Sequence, residues 1–538
     1  MHASVATGAG QPDPTFGSGG VAEPLPASAG GSSLAALAIA PGGAIDAVGA
    51  YHPHDEWEVL AMRLTEGGAL DPTFGSGGWE ALYLIPRVEG SFAAETGNAE
   101  AVEPDGSIIV GGTRVAGRLA PSGALDTSFQ RGQILEYRAL APRSDGSFVA
   151  AGETEDPEHP SRGPLPGVDA FGPRGEPVSS FDGGKVYVIP LFTGSEWSGK
   201  ALDAIPLEGG GTLVAGSAET TTKGSRIAWV ARLQANGQLD PSFGTGGIFR
   251  VPISAWAQVA LAREPSGRIV LVGQRSTDAA GPFGEPAYET VAWGLDANGH
   301  LDPSFGSGGE VTIPDSSPEM SGYAVAAAVD PAGRVLVAVE QIRTDTTNGP
   351  ALLARLTPTG GLDPTYGRGG ETTGPSPSSV SALAVDAQSR AIITGTLAVR
   401  PGEIGTAYLE RFTGEGTAAG APPAPAGAHP TSAPARPGRL FATRWSCRRK
   451  LSDGSHRRCV LTIRPLRAGI EVTAGRLSRA VRHGASFRLR RHGHELRTAF
   501  TAPLRRASYV LRLKLREGQR GEAIRVALSL PAARGPRR

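Results

Sequence analysis

Two short clusters in this sequence have the residue types for metal chemistry. His52-Pro53-His54-Asp55-Glu56 alternates histidines beside two carboxylates, a loop that could share a zinc ion. A zinc site takes four ligands, or three with an open position, and no further ligand is identifiable elsewhere. A solvated polar loop is the simpler reading. His492-Gly493-His494-Glu495 lies in an arginine-rich turn and offers less. Gly-Ser-Gly-Gly runs could cradle a phosphate, but a phosphate loop opens a helix and is followed by Lys-Ser/Thr. Here Val21, Trp79, Ile248 and Glu310 follow, each at the start of an apparent strand, so tight turns are expected. Asp-Pro steps supply one carboxylate each, whereas calcium needs about six clustered oxygens, so they read as turn starters. No Gly-x-Ser-x-Gly elbow, His-Glu-x-x-His or Cys-x-x-Cys occurs. Neither a metal, nor a cofactor, nor a catalytic residue is expected.

The elements that carry these residues repeat. Leu70-Asp71-Pro72-Thr73-Phe74-Gly75-Ser76-Gly77-Gly78 has close copies from Leu239, Leu301 and Leu362, a first copy at Pro12–Gly20, and weaker copies from Leu125 and Pro177. Its aromatic residue falls at 16, 74, 129, 181, 243, 305 and 366, in steps of 58, 55, 52, 62, 62 and 61 residues. Three short apolar strands separate successive motifs and a fourth follows each, which is the pattern of a propeller blade. The first motif lacks preceding strands, and the last three-strand set, Val380–Phe412, lacks a motif after it. An N-terminal strand that completes the last blade gives seven full blades and no open edge. The fold class predicted is all-β: a seven-bladed β-propeller over 10–415, a Pro/Ala/Gly linker over 416–438, and a basic β-sandwich, immunoglobulin-like, over 439–538.

Arg precedes the motif Asp by eight residues at Arg63/Asp71, Arg118/Asp126, Arg232/Asp240 and Arg355/Asp363. A turn midway should bring each pair together across a hairpin. Both members are replaced in the third unit (Ala170, Val178), and the fifth has Gly294 before Asp302. As partly exposed pairs they are expected to contribute about 0.2–1 kcal/mol each and not to hold the fold. The motif aromatic is expected to pack between blades.

The Leu-Asp-Pro-Ser/Thr-Phe-Gly-x-Gly-Gly motif resembles that of the delta-60-repeat family of bacterial β-propellers, a domain family of unknown function. The resemblance covers roughly residues 10–416; units three and five depart from it as noted. It implies an exported bacterial protein and carries no catalytic residues to transfer.

In a four-stranded blade the second-to-third and fourth-to-first connections share one face. The long variable loops 50–56, 152–166, 217–225, 275–288 and 341–350 belong to that face, while the tight turns lie opposite. Variable loops on a rigid scaffold are where binding resides, so Phe192, Trp197, Phe283 and Tyr288 are the candidate contact residues. Loops that merely drift in length are the alternative.

The net charge of zero conceals a division. Residues 439–538 carry 26 Lys+Arg against 5 Asp+Glu, a balance of +21, and the rest of the chain carries −21. Leu511, Leu513 and Leu515 alternate with Arg512, Lys514 and Arg516, a half-buried strand. Cys447 and Cys459 could close a short loop as a disulfide in an oxidising compartment; two buried thiols are the alternative. The segment resembles small Arg-rich C-terminal β-sandwich modules of exported actinobacterial proteins. Its charge could attract anionic wall polymer or glycan, nucleic acid, or the acidic propeller. Stacking aromatics are few (Trp445, Phe487, Phe500, Tyr509), so nucleic acid is not favoured.

No stretch of about 18 apolar residues occurs to span a membrane as a helix. Met1–Thr7 lacks a basic start and an apolar leader, so the reading frame is expected to begin further upstream. These features predict an exported, monomeric, non-catalytic scaffold at the cell surface that binds a ligand on its long-loop face, with the basic domain as tether. The competing reading is a propeller hydrolase or lyase working at the central channel.

Overall fold

The computed structural model describes residues 8–25, 31–40, 42–52, 57–82, 96–112, 116–129, 136–155, 163–192, 197–220, 226–253, 258–280, 286–316, 320–343, 348–375, 378–397 and 405–414, and the backbone of eight strands between 441 and 530. Two compact units divide the chain, 1–421 and 422–538. No helix among the described residues is long and apolar enough to cross a membrane.

The first unit is a ring of seven antiparallel sheets. Blade 1 comprises Gly31–Ile39, Ile45–His52, Glu58–Leu64 and Trp79–Leu82; blade 4 comprises Trp197–Pro206, Thr212–Thr220, Arg226–Leu233 and Ile248–Ile253. Blades 3, 5 and 6 repeat this order, and blade 2 shows its first three strands among the described residues. The first strand of every blade touches the first strands on both sides, which makes these strands the inner wall. Blade 7 takes Ser378–Val385, Ala391–Leu397 and Thr406–Phe412 from one end of the unit and Val21–Ala22 from the other. Val21 pairs with Glu410 and Ala22 with Leu409. The ring closes as the motif count requires.

Each interface between neighbouring blades holds one apolar cluster. In the third strand of blade 1, Val59 and Ala61 face blade 2 while Leu60, Met62 and Leu64 face blade 7. Packing on both faces explains why these strands read as continuous apolar runs instead of alternating ones. Every motif aromatic is buried in such an interface, from Phe16 at 0% exposure to Phe129 at 6%, and a fully buried Phe stabilises by about 1.5–3 kcal/mol.

Asp-Pro does start the turn. Asp71 Oδ1 accepts hydrogen bonds from the Thr73 amide (2.9 Å) and hydroxyl (2.7 Å), and Asp13, Asp126, Asp240, Asp302 and Asp363 bind the Ser or Thr two residues on in the same way. The Gly-Ser-Gly-Gly glycines turn the chain at positive φ (Gly75 50°, Gly77 76°, Gly78 107°).

The arginine pairs depart from expectation in two respects. Arg63 ignores Asp71 and makes a bidentate bond to Asp46, at 2.6 and 2.9 Å. Asp46 lies on the adjacent strand at 0% exposure, so the shorter reach across the sheet wins. The arginines also hold blades together. Arg355, fully buried, bonds Asp363 at 2.9 Å, stacks over Tyr366, and reaches Gly414 O of blade 7. Arg63, Arg232 and Arg411 reach carbonyls of the next blade likewise. In blade 5, where Gly294 leaves room for the Phe305 ring, Arg268, in the turn just before the second strand, supplies the bond to Asp302 at 2.8 Å.

The second unit forms two four-stranded antiparallel sheets. One holds Phe441–Lys450, His456–Pro465, Glu495–Pro503 and Arg490–His492; the other holds Ser486–Arg488, Ile470–Arg479, Ala507–Glu517 and Arg520–Leu530. The linker 416–438 lies outside the described residues.

Candidate functional site

The first strands carry a recurring irregularity. In six blades one extra residue is inserted opposite the second strand: Ala35, Asn98, Arg138, Leu202, Val325 and Ser381. A bulge of this kind bends its strand and re-aims a side chain. The first strand also draws close to the glycine that ends the apolar run of the second. A Cβ on Gly216 would stand 1.9 Å from Lys200 O, so only glycine fits there. Directly after that glycine comes Glu153 in blade 3, Ser217 in blade 4 and Gln274 in blade 5, exposed by 5%, 2% and 1%.

Between blades 3 and 5 these features enclose a cleft of about 450 Å³. The bulge residues Arg138 and Leu202 line it together with Ser198, Lys200 and Ser217, and Pro164 and Gln258 complete the rim. Ser198 and Lys200 stand at the start of a first strand, Ser217 near the end of a second, and Pro164 just before a third. All these ends share the long-loop face.

The cleft is polar and its charges are organised around one buried carboxylate. Glu153 Oε1 accepts from Arg138 Nε (3.2 Å) and Nη2 (3.0 Å) and lies 3.1 Å from Lys200 Nζ. Arg138 Nη2 is also 2.8 Å from Glu136 Oε1, whose side chain is 27% exposed. Glu153 is thus the more buried partner of both cations, and Glu136, as exposed as Arg138, shares that guanidinium. Ser217 Oγ is buried and has no hydrogen-bond partner, an arrangement that costs about 1–3 kcal/mol until something binds it.

Sequence reasoning put the contact residues elsewhere on this face. Trp197 neighbours the cleft, but its ring is 4% exposed and joins the cluster between blades 3 and 4. Half-buried Phe192 packs edge-on against it, with centroids 5.8 Å apart. Tyr288 is half-buried beside Tyr323 at 5.7 Å, and Phe283 lies outside the described residues. His52 packs against Trp57 at 4.6 Å; residues 53–56 are outside the described residues. Cys447 and Cys459 are register partners on adjacent strands, and their side chains are outside the description. No group of three His, Cys, Asp or Glu able to hold a metal occurs among the described residues. Arg138, Lys200, Ser198, Ser217 and Gln258 were missed. The available signal, for Ser217 alone, was a polar residue after the second-strand glycine, as at Glu153 and Gln274.

Raised carboxyl groups are present away from the cleft. Burial pushes Asp315, in the connector after blade 5, up to about 7, and Glu410 in blade 7 up to about 8.

Residues 103–129 and 211–243 match a family described as a domain of unknown function (DUF5122) β-propeller. Both matches end on a motif aromatic, Phe129 and Phe243. No protein of curated function matches the sequence. Solved structures that resemble it include a gluconolactonase from Xanthomonas campestris, at 14% identity over 58% of this chain and 85% of that one, TM-score 0.31. PorZ, a surface component of the type-IX secretion system of Porphyromonas gingivalis, is similar at 11% identity over 91% and 58%, TM-score 0.36. An α-L-arabinanase from Penicillium chrysogenum is similar at 11% identity over 76% and 98%, TM-score 0.35. Likenesses this distant carry no argument about activity.

Proposed function

We propose that this chain is an exported, non-catalytic binding scaffold that holds a small polar ligand in the cleft between blades 3 and 5. One observation carries the reading: a buried hydroxyl without a partner, Ser217 Oγ, lines a 450 Å³ cleft beside two cations already oriented by Glu153. Preformed donors on rigid strands bind with little ordering cost, and the volume is in the range of small-molecule pockets. The basic segment serves in this reading as a tether to an anionic surface, supported by its balance of +21 over residues 439–538.

The test of binding is a thermal-shift screen of the full chain against polar metabolites and wall saccharides. A ligand that stabilises the wild type and not Lys200→Ala supports the reading; ligands that stabilise both equally place binding elsewhere. For the tether, the full chain and a chain ending at Gly438 are compared on purified anionic wall polymer. Retention of both to the same extent removes the basic segment from that role.

A further inference from the structure

The register of the second unit collects arginines that the sequence scatters. Arg476, in Ile470–Arg479, pairs with Arg488 of Ser486–Arg488 on one side and with Arg512 of Ala507–Glu517 on the other. Arg512 pairs in turn with Arg525 of Arg520–Leu530. Directly opposed residues of an antiparallel sheet share a face, so these four arginines form one row across all four strands. Strands about 4.7–4.9 Å apart give the row a length of roughly 14 Å. The adjacent register positions hold Phe487, Leu477, Leu511 and Val526. This sheet therefore has one apolar face and one cationic face.

Like charges placed directly opposite one another destabilise a sheet, and a bound anion offsets that cost. The flanking rows of the cationic face carry Lys514 and small residues such as Ala474, Ser478, Ala523 and Ala527. Glu471 shares this face but stands two rows away, opposite Arg516. Even with every acid paired, cations remain in large excess, since residues 439–538 hold 5 Asp+Glu against 26 Lys+Arg. Of those 26, 24 are arginine, whose planar fork takes a carboxylate through two parallel bonds, as a lysine ammonium does not. A straight row at strand spacing suits a linear polymer with a regularly repeated charge. Base stacking needs aromatic rings, and the two aromatic residues of this sheet, Phe487 and Tyr509, fall at positions of the apolar face. We infer that the row of Arg488, Arg476, Arg512 and Arg525 is the docking strip for an acidic polysaccharide with one carboxylate on each sugar of an extended chain. This inference rests on the tether role proposed above for the basic segment.

The test is titration of the full chain into fluorescently labelled polygalacturonate at several salt concentrations. The wild type binds, and its affinity falls with added salt as counter-ions are released. Arg476→Gln/Arg512→Gln weakens binding about tenfold or more. Arg444→Gln/Arg497→Gln removes the same charge from the other sheet and weakens it at most about threefold. Arg476→Lys/Arg512→Lys keeps the charge, loses the fork and weakens binding several-fold. Because the first change relieves like-charge opposition, that variant unfolds no earlier than the wild type on heating, which separates lost binding from lost fold. Equal weakening by the two glutamine pairs overturns the placement and leaves general charge. Tighter binding of polyphosphate or of an oligothymidylate overturns the polysaccharide class. Affinity that rises with salt assigns the row to acidic residues of this chain instead. If polygalacturonate fails to bind while wall polymer retains the full chain and not the chain ending at Gly438, the docking strip fails alone; if wall polymer retains both chains alike, the tether fails with it.

Discussion

Arg411 Nε donates to Asp13 Oδ2 at 2.9 Å although 398 residues separate them. The same guanidinium donates to Thr15 Oγ1 at 2.9 Å, stacks over Phe16 at 4.8 Å and reaches Glu66 O of blade 1. Three segments thus meet on one side chain that is 2% exposed. Removing one partner of a buried pair leaves a buried charge, so Arg411→Ala is expected to cost about 3–5 kcal/mol. Arg118→Ala, in a partly exposed pair 3.8 Å from Asp126, is expected to cost about 0–1 kcal/mol through that contact, plus the loss of its bond to Glu103. Urea midpoints compare them, and equal losses would show that the seam bears no special load.

The motif aromatics lean on the next blade through a glycine. At Gly299, with φ 79°, a Cβ would stand 2.7 Å from Phe243 Cζ, whereas Gly308, with φ 66°, has open space. Gly299→Ala should therefore lose about 1–3 kcal/mol through overpacking beyond its backbone strain. Gly308→Ala should lose only the strain of a positive φ, about 1–2 kcal/mol. Thermal unfolding of the two variants separates these contributions. Equal losses would remove the stacking of Phe243 on this turn from the account.

Glu410 is 3% exposed and its Oε2 has no partner. Burial raises its pKa to about 8, so the folded chain keeps the proton that the unfolded chain releases near the ordinary value of 4.5. The contribution of this group is complete below the unfolded value and is lost as pH rises towards about 8. Glu410→Gln stays neutral throughout. Relative to that variant, the wild-type urea midpoint should fall between about pH 5 and 8 and level off above. Parallel profiles would mean that Glu410 is ionised in the folded state.

Cys447 and Cys459 face each other in register, and directly opposed residues have Cα atoms about 4.5–5.5 Å apart, within the range of a disulfide. Under oxidising conditions alkylation should label neither thiol until reductant is added. Reduction should then lower the stability of this unit by about 3 kcal/mol on the chain-entropy model. Labelling of both thiols without reductant would exclude the bond.

The ring was legible because its signal is repeated. The motif at Phe74, Phe243 and Phe305 fixes the period, and the orphan motif at Phe16 names the blade that it completes. What escaped were single departures from the repeat. Asp46, within the otherwise apolar Ile45-Asp46-Ala47-Val48, was the visible cue to the partner of Arg63, yet spacing along the chain favoured Asp71. Arg138 escaped for a geometric reason. A bulge adds one residue without a compositional mark, and one residue of slip turns a side chain to the other face. Ser217 and Glu153 each follow a glycine in the second strand, but that Glu153 meets Lys200 of the next blade follows only from the ring.

Closure can be tested at the break itself. In blade 1 the turn runs continuously through Glu66, Gly67 and Gly68. In blade 7 the same places are filled from opposite ends of the unit, by Gly414 on one side and Ala9 and Gly10 on the other. Arg411 reaches Glu66 O as Arg355 reaches Gly414 O. Gly17 N donates to Gly67 O as Gly367 N donates to Ala9 O, each at 2.8 Å. Thr413 N also donates to Gln11 O at 2.8 Å. A full chain carrying Gln11→Cys and Thr413→Cys should therefore oxidise to a covalent loop, with peptides containing positions 11 and 413 recovered joined by a disulfide. Recovery of both cysteines free, after conditions that oxidise accessible thiol pairs, would contradict a ring closed by its own ends.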